Sequence, residues 1–279
     1  MAGHRFDPSI LREYDIRGVV GQTLHAADAE ALGRAFGTLV RGQGGSRVAL
    51  GYDGRRSSPE PAEAVAAGLR ASGVTPLRIG RGPTPLLYFA VYQLDADGGI
   101  MVTGSHNPPD HNGFKIMLGK ASFYGKQIQE LGKLAESGDF ARGQAEDEEH
   151  DLSAVYLARI TEEMRIDPGL SVAWDAGNGA SGELMARLAA RLPGEHSLLN
   201  AEIDGSFPNH HPDPTVPENL VQLQQAVREG GCDLGIAFDG DGDRIGAVDE
   251  NGEILWGDQL MLYLARDILK ERPGSTIIA

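Results

Sequence analysis

The sequence predicts an α/β protein: two consecutive three-layer α/β/α domains with mixed or parallel sheets, plus the start of a third. Three observations predict it. Short apolar runs alternate with segments of helical spacing, the pattern of strands joined by crossover helices. The pattern stops at a polar, acidic stretch over 138–151 and then restarts. Finally, several apolar runs end in Gly, Asp or Ser, which puts polar loops at the strand ends, where open α/β sheets bind ligands.

Arg47 to Tyr52 reads as a short apolar strand ending in Asp53 and Gly54. Pro59 to Ser72 follows as a helix, with Ala62, Val65, Ala66 and Leu69 on one face and Gly73 as its stop. Thr75 to Ile79 is the next strand, and Pro83 to Pro85 opens a helix reaching Tyr92. Gly99 to Val102 is a buried strand running into Thr103 and Gly104. Gln127 to Ser137 reads as a helix, and the stretch from Gly138 to Asp151 as a linker whose acidic cluster, Glu146 to Glu149, is solvated. In the second half, Leu170 to Trp174 and Asp233 to Phe238 read as strands. Glu183 to Leu192, Asn219 to Glu229 and Asp258 to Leu269 read as helices. The expected domains are 1–150, 151–256 and 257–279, the last cut short. Ser275 to Ala279, after the turn at Pro273 and Gly274, looks like a strand beginning, so the chain is expected to be the N-terminal portion of something longer.

The 279 residues include 25 Lys and Arg against 40 Asp and Glu, a net charge of −15. Nucleic acid and anionic membrane surfaces reward basic patches, so neither is an expected partner. With 41% hydrophobic residues the chain has material for a packed core rather than disorder. The single cysteine, Cys232, excludes an intrachain disulfide and reads as a small core residue. The first residues carry no apolar signal core, and no run approaches the roughly 20 residues of a membrane span. A cytoplasmic protein is expected.

Two runs carry the chemistry. Ser105 follows Gly104 at the end of the buried strand, which delivers a hydroxyl into a tight polar loop. A serine there is a candidate nucleophile or phosphate carrier. His106 and Asn107 follow it, which is not the Gly-x-Ser-x-Gly elbow of acyl-transfer hydrolases. The second run places Asp239, Asp241 and Asp243 at alternate positions. Three such carboxylates can ligate Mg²⁺ and leave sites for a phosphoryl oxygen and water. A calcium loop and a metal-free acidic turn are the competing readings. The EF-hand pattern puts Glu250 at position 12 but finds Arg244 where glycine belongs, and a strand where a helix belongs. Lys115, ten residues after the serine, could set a cation over a phosphate, and Arg244 could neutralise one. Taken alone, Lys115 reads as a surface lysine, Arg17 (with Tyr14 nearby) as a surface ion pair, and His106 and His111 stay ambiguous. The two halves also align faintly: Asp97 to Asn107 lies on Asp233 to Asp243, with Ser105 on Asp241.

Together, the run from Arg12 to Gly18, the Thr103-Gly104-Ser105-His106-Asn107-Pro108 loop, Asn112 to Lys115, and Asp239 to Arg244 resemble the α-D-phosphohexomutases. Within them the chain is most similar to the bacterial phosphomannomutase/phosphoglucomutase group. The resemblance implies a four-domain enzyme that interconverts hexose 1-phosphate and hexose 6-phosphate. It makes Ser105 a phosphoserine that acts through a bisphosphorylated sugar, with hexose 1,6-bisphosphate as activator. It implies Mg²⁺ held by Asp239, Asp241 and Asp243 against Ser105. It also implies Tyr14, Arg17, His106, Lys115 and Arg244 around the transfer site, Lys115 as acid/base or electrostatic clamp. The sugar-recognition and distal phosphate loops of the third and fourth domains have no counterpart here. Weak or absent turnover by this chain alone is therefore expected.

Overall fold

The computed structural model describes residues 3–162, 164 and 169–278. Two sheets organise it. In the first half, in chain order, the elements are β1 (Ile16–Val19), α1 (Ala26–Gly42), β2 (Arg47–Tyr52), α2 (Pro59–Ala71), β3 (Thr75–Arg81), α3 (Thr84–Gln93), β4 (Gly98–Val102), β5 (His111–Leu118), β6 (Ala121–Ser122), α4 (Lys126–Ser137) and β7 (Glu148–Glu149). The second half contains α5 (Ser153–Glu162), β8 (Ser171–Asp175), α6 (Gly182–Ala189), β9 (Glu195–Leu199), α7 (Val221–Gly230), β10 (Leu234–Phe238), β11 (Ile245–Asp249), β12 (Ile254–Leu255) and α8 (Gly257–Glu271).

The first sheet runs β1-β5-β4-β2-β3-β7, with β6 on β5; the second runs β12-β11-β10-β8-β9. Both are mixed. β2, β3 and β4 are parallel, as are β8, β9 and β10, while β5 and β11 return antiparallel beside β4 and β10. Each half thus repeats one plan: three parallel strands, then a tight antiparallel return. The details repeat as well. The Asp97 backbone N–H donates to Arg47 and its carboxylate accepts from Ser46 and Arg47; Asp233 does the same with both groups of Ser171.

β4 is buried at every residue because helices cover both faces of its sheet. On one face α1 presents Leu32, Phe36 and Val40, which pack with Val65 and Leu69 of α2 and Leu131 of α4. On the other, Leu86, Leu87 and Val91 of α3 pack with Leu157 of α5 and Leu184 of α6. The second sheet is covered by Leu223 and Val227 of α7 on one side and Met185 and Ala189 of α6 on the other. Cys232 is buried beside α7, as expected of a small core residue.

Several expectations need correction. The segment over 138–151 is not a free linker: its β7 adds to β3, and Asp147 accepts from both Arg70 and Arg78, so the acidic cluster is partly an anchor. The expected helix from Asn219 begins as a 3-10 turn over Pro217–Leu220, with Pro217 at its first position, where no intrahelical N–H is needed, and α7 proper starts at Val221. Ser275 to Ile278 takes no regular structure; Ala279 lies outside the described residues.

Candidate active site

The site forms where the return loops of the two sheets meet. Ser105 sits in the β4–β5 connection, 2% exposed, with φ of +51°. A non-glycine residue there costs about 1–3 kcal/mol, so the surroundings must hold it. They do so through nearly every backbone group. Gly104 N–H donates to Asp53 at 3.0 Å and its carbonyl accepts from Arg17 at 2.7 Å. Ser105 N–H donates to Thr103 Oγ1 at 2.8 Å, and its carbonyl accepts from Arg55 at 2.7 Å.

The opposing loop joins β10 to β11. Asp239 Oδ1 accepts the backbone N–H groups of Asp243 and Arg244 at 3.0 and 3.1 Å, which folds the loop back on its first carboxylate. Gly240 is required for the approach: a Cβ there would lie 2.3 Å from the Ser105 carbonyl oxygen. The result is a direct link, with Ser105 Oγ donating to Asp239 Oδ2 at 3.1 Å. His106 Nδ1 lies 3.3 Å from the same Oγ.

Asp241 is fully buried beneath the serine loop. Its Oδ2 accepts from Thr84 at 2.6 Å, Thr103 at 3.1 Å and Lys115 at 2.7 Å. Its Oδ1 is buried and has no hydrogen-bond partner. Lys115 projects from β5 and also donates to Asp243 at 2.5 Å. Burial works against its ammonium, but Asp241 and Asp243 outweigh it and hold the lysine charged, above its ordinary range. Burial likewise opposes ionisation of Asp241, yet Lys115 and Thr84 hold its carboxyl down at about 2. For Asp239, burial and then the charges of Asp241 and Asp243 push the carboxyl up to about 7. Burial and the Arg244 charge push His106 below its ordinary value.

The aspartate loop fits a cation. Ligand atoms of Asp239, Asp241 and Asp243 lie within 4.8 Å of one another, the one such cluster among the described residues. The unpartnered Asp241 oxygen and the raised Asp239 carboxyl both mark a loop with more negative charge than Lys115 neutralises. A cation would satisfy both. The loop is flanked by strands, which is not EF-hand architecture.

A cleft of ≈ 560 Å³ opens above these loops, and Tyr14, Arg17, Ser105, His106, Lys115 and Arg244 all line it. Tyr14 is 78% exposed and free to contact a ligand. Arg17 is not the surface ion pair its sequence context suggests: it is buried and tied to both Asp15 and the serine loop. Lys115 is no solvent lysine either, its side chain being only 17% exposed. His111 pairs with Asp110 outside the cleft lining. Tyr88 and Tyr124 also line the cleft and were not singled out by the sequence, nor were Asp53, Arg55 and Thr84, which brace the loops from below; Arg12 in the cleft and Thr103 beneath the loop were legible only as the opening residues of their motifs.

Comparison with known proteins agrees with this geometry. Two family models match: phosphoglucomutase/phosphomannomutase alpha/beta/alpha domain I over residues 8–142 and domain II over 154–252. The chain is 43% identical to a phosphoglucomutase of Neisseria gonorrhoeae over 271 residues, covering 96% of this chain and 59% of the relative. It is 44% identical to a phosphomannomutase/phosphoglucomutase of Pseudomonas putida, covering 97% and 58%. A solved phosphoglucomutase/phosphomannomutase family protein from Burkholderia thailandensis superposes with a TM-score of 0.93 at 44% identity, over 97% of this chain and 61% of that one. The chain therefore spans about three-fifths of the relatives it matches. On the two matched domains and these relatives, it belongs to the phosphoglucomutase/phosphomannomutase family of phosphohexomutases.

Proposed function

We propose that this chain carries the phosphoryl-transfer half of a phosphohexomutase that interconverts hexose 1-phosphate and hexose 6-phosphate. The supporting observation is the Ser105 hydroxyl, held 3.1 Å from Asp239 of the one carboxylate group among the described residues arranged to hold a metal ion, at the floor of a cleft with cationic walls. Arg12 and Arg244 line that cleft and form no ion pair among the described residues, so both are available to a phosphate.

In this reading Ser105 is loaded from a hexose 1,6-bisphosphate. Its Oγ attacks a phosphorus atom, the Oγ–P bond forms and the sugar O–P bond breaks. The hydroxyl proton passes to His106 Nδ1, and the departing sugar oxygen takes up a proton from water in the open cleft. The reverse transfer, to the other hydroxyl of the sugar, completes the isomerisation. Asp239, Asp241 and Asp243 would hold Mg²⁺ with the Ser105 oxygen, supplying charge neutralisation to the phosphoryl group. Lys115, kept protonated by two carboxylates, serves as an electrostatic clamp; an ammonium so held is a poor base. Tyr14, Arg17 and Arg244 bind the substrate phosphate and sugar. The domains are read as 1–150 for the serine loop, 151–256 for the aspartate loop and 257–279 as the opening of a third. No described helix is long and apolar enough to cross a membrane, which accords with a cytoplasmic enzyme.

A second reading, a metal- and phosphate-binding fragment without turnover, is favoured by α8. Leu262, Tyr263 and Leu264 on that helix are each more than half exposed, and only Ala265 is buried. One experiment tests the main reading: intact mass of the purified chain before and after Mg²⁺ and glucose 1,6-bisphosphate, with the site mapped. One phosphoryl group on Ser105, absent in a folded Ser105→Ala variant, supports it. No phosphoryl group under either condition leaves the fragment reading.

A further inference from the structure

We propose that Arg55 is the positioning residue for Ser105, a guanidinium clamp that sets the serine loop in its reactive shape. This rests on the phosphoserine reading above, but its geometry stands alone.

Arg55 follows β2, the strand beside β4, and its side chain is almost wholly buried. Its Nη2 donates to the carbonyls of Ser105 and Asn107 at 2.7 and 2.5 Å; its Nη1 donates to those of Pro108 and His111 at 2.5 and 3.1 Å. One side chain thus gathers four carbonyls spread along the whole β4–β5 connection. Nε lies 3.3 Å from Asp53 Oδ2, an ion-pair distance without hydrogen-bond geometry. Asp53 in turn takes the Gly104 N–H and the Ser58 hydroxyl. The pair therefore grips the loop from both polarities, Asp53 accepting from its Gly104 N–H and Arg55 donating to its carbonyls.

The clamp is closed from the second half of the chain, by the irregular connection that follows β9. The Phe207 ring lies 5.2 Å from the guanidinium carbon. Gly205 approaches so closely that a Cβ there would stand 2.6 Å from Arg55 Cα. Gly104 is shaped to the same side chain: a Cβ there would meet Arg55 Nε at 2.2 Å. A ring face seats a planar guanidinium, and four divergent carbonyls need its fork. Lysine offers three donors from one point and cannot span them. Arg55 does not line the cleft, so it acts through the serine and not on substrate.

The test compares wild type, Arg55→Lys and Arg55→Met in the 279-residue chain. Three readouts are needed: phosphoryl uptake by Ser105 from glucose 1,6-bisphosphate, Mg²⁺ affinity by calorimetry, and amide exchange over residues 104–111 against β10 and β11. Expected for both variants are exchange at 104–111 at least about tenfold faster, with exchange in β10 and β11 unchanged and Mg²⁺ affinity lowered by less than uptake, since three of the proposed Mg²⁺ ligands are the aspartates of the other loop. Uptake is expected to fall about 100-fold in Arg55→Met and less in Arg55→Lys. A general loss of stability would speed exchange in β10 and β11 as much as at 104–111, and that result overturns the positioning role. So does wild-type exchange at 104–111, or wild-type uptake. If wild type itself takes no phosphoryl group, the phosphoserine reading fails, while local exchange still decides whether Arg55 holds the loop. If Arg55→Met does not fold, Phe207→Leu carries the test, with the same local exchange expected and wild-type exchange overturning it.

Discussion

Lys115 and Asp241 meet at 2.7 Å from opposite sheets, 126 residues apart in the chain. Lys115 is the one cation ion-paired with the aspartate loop among the described residues, bound to two of its three carboxylates, and it stands where the charge of a bound cation would also act. Lys115→Met is therefore expected to destabilise the metal-free protein by about 3–5 kcal/mol, the usual result of leaving a buried partner charge unpaired. Mg²⁺ should restore much of that loss. Urea unfolding with and without Mg²⁺ checks it. No Mg²⁺ shift in either protein would refute a cation site there, and an equal shift in both would refute the cation taking over the charge of Lys115.

A second buried pair gives a pH dependence. His210 Nε2 lies 2.9 Å from Asp175 Oδ2, and its Nδ1 lies 3.0 Å from the His211 carbonyl. Burial disfavours the imidazolium, but the Asp175 hydrogen bond and charge prevail, so His210 titrates above its ordinary 6.5. A raised folded value means the unfolded chain releases its proton first as pH rises. The extra stability is therefore complete below pH 6.5 and is lost as pH rises through the folded value. The stability gap between wild type and His210→Gln should be widest below pH 6.5 and narrow as pH rises through the raised folded value. Denaturant unfolding across that range measures it, and a gap that widens with pH would contradict the pairing.

How much of this was legible in the sequence depends on distance along the chain. The serine and aspartate loops were legible because each is a contiguous run at the end of an apolar strand. The faint alignment of the two halves pairs Gly98 with Leu234 and Val102 with Phe238, and those residues begin and end β4 and β10. β5 was hidden because Asn112, Gly113 and Lys115 interrupt its apolar residues. Gly113 is there for β1, since a Cβ would stand 2.0 Å from the Ile16 carbonyl oxygen. Arg55 gave no local signal at all, because its partners lie 50 to 56 residues away. α1 carries Leu32, Phe36 and Val40 at helical spacing, but Gly33 and Gly37 break its apolar face.

Those helix glycines lead to the last expectation. Gly33 of α1 and Gly68 of α2 lie against each other where the two helices cross, both in helix interiors where alanine is intrinsically better by about 1 kcal/mol. Propensity alone would make Gly68→Ala stabilising. The contact says otherwise: a Cβ at Gly68 would meet the Glu30 carbonyl oxygen at 2.2 Å, Arg34 N at 2.7 Å and Gly33 Cα at 2.9 Å. These are backbone atoms, which cannot rotate aside, so α1 must move off α2 and its Leu32 and Phe36 must move with it. Overpacking of this kind costs about 1–3 kcal/mol, which exceeds the helix gain. Gly68→Ala should therefore lower the urea midpoint, whereas Gly42→Ala, at the end of the same α1 helix with open space around it, should not. A Gly68→Ala midpoint at or above wild type would mean that the helices have room the close contact does not allow.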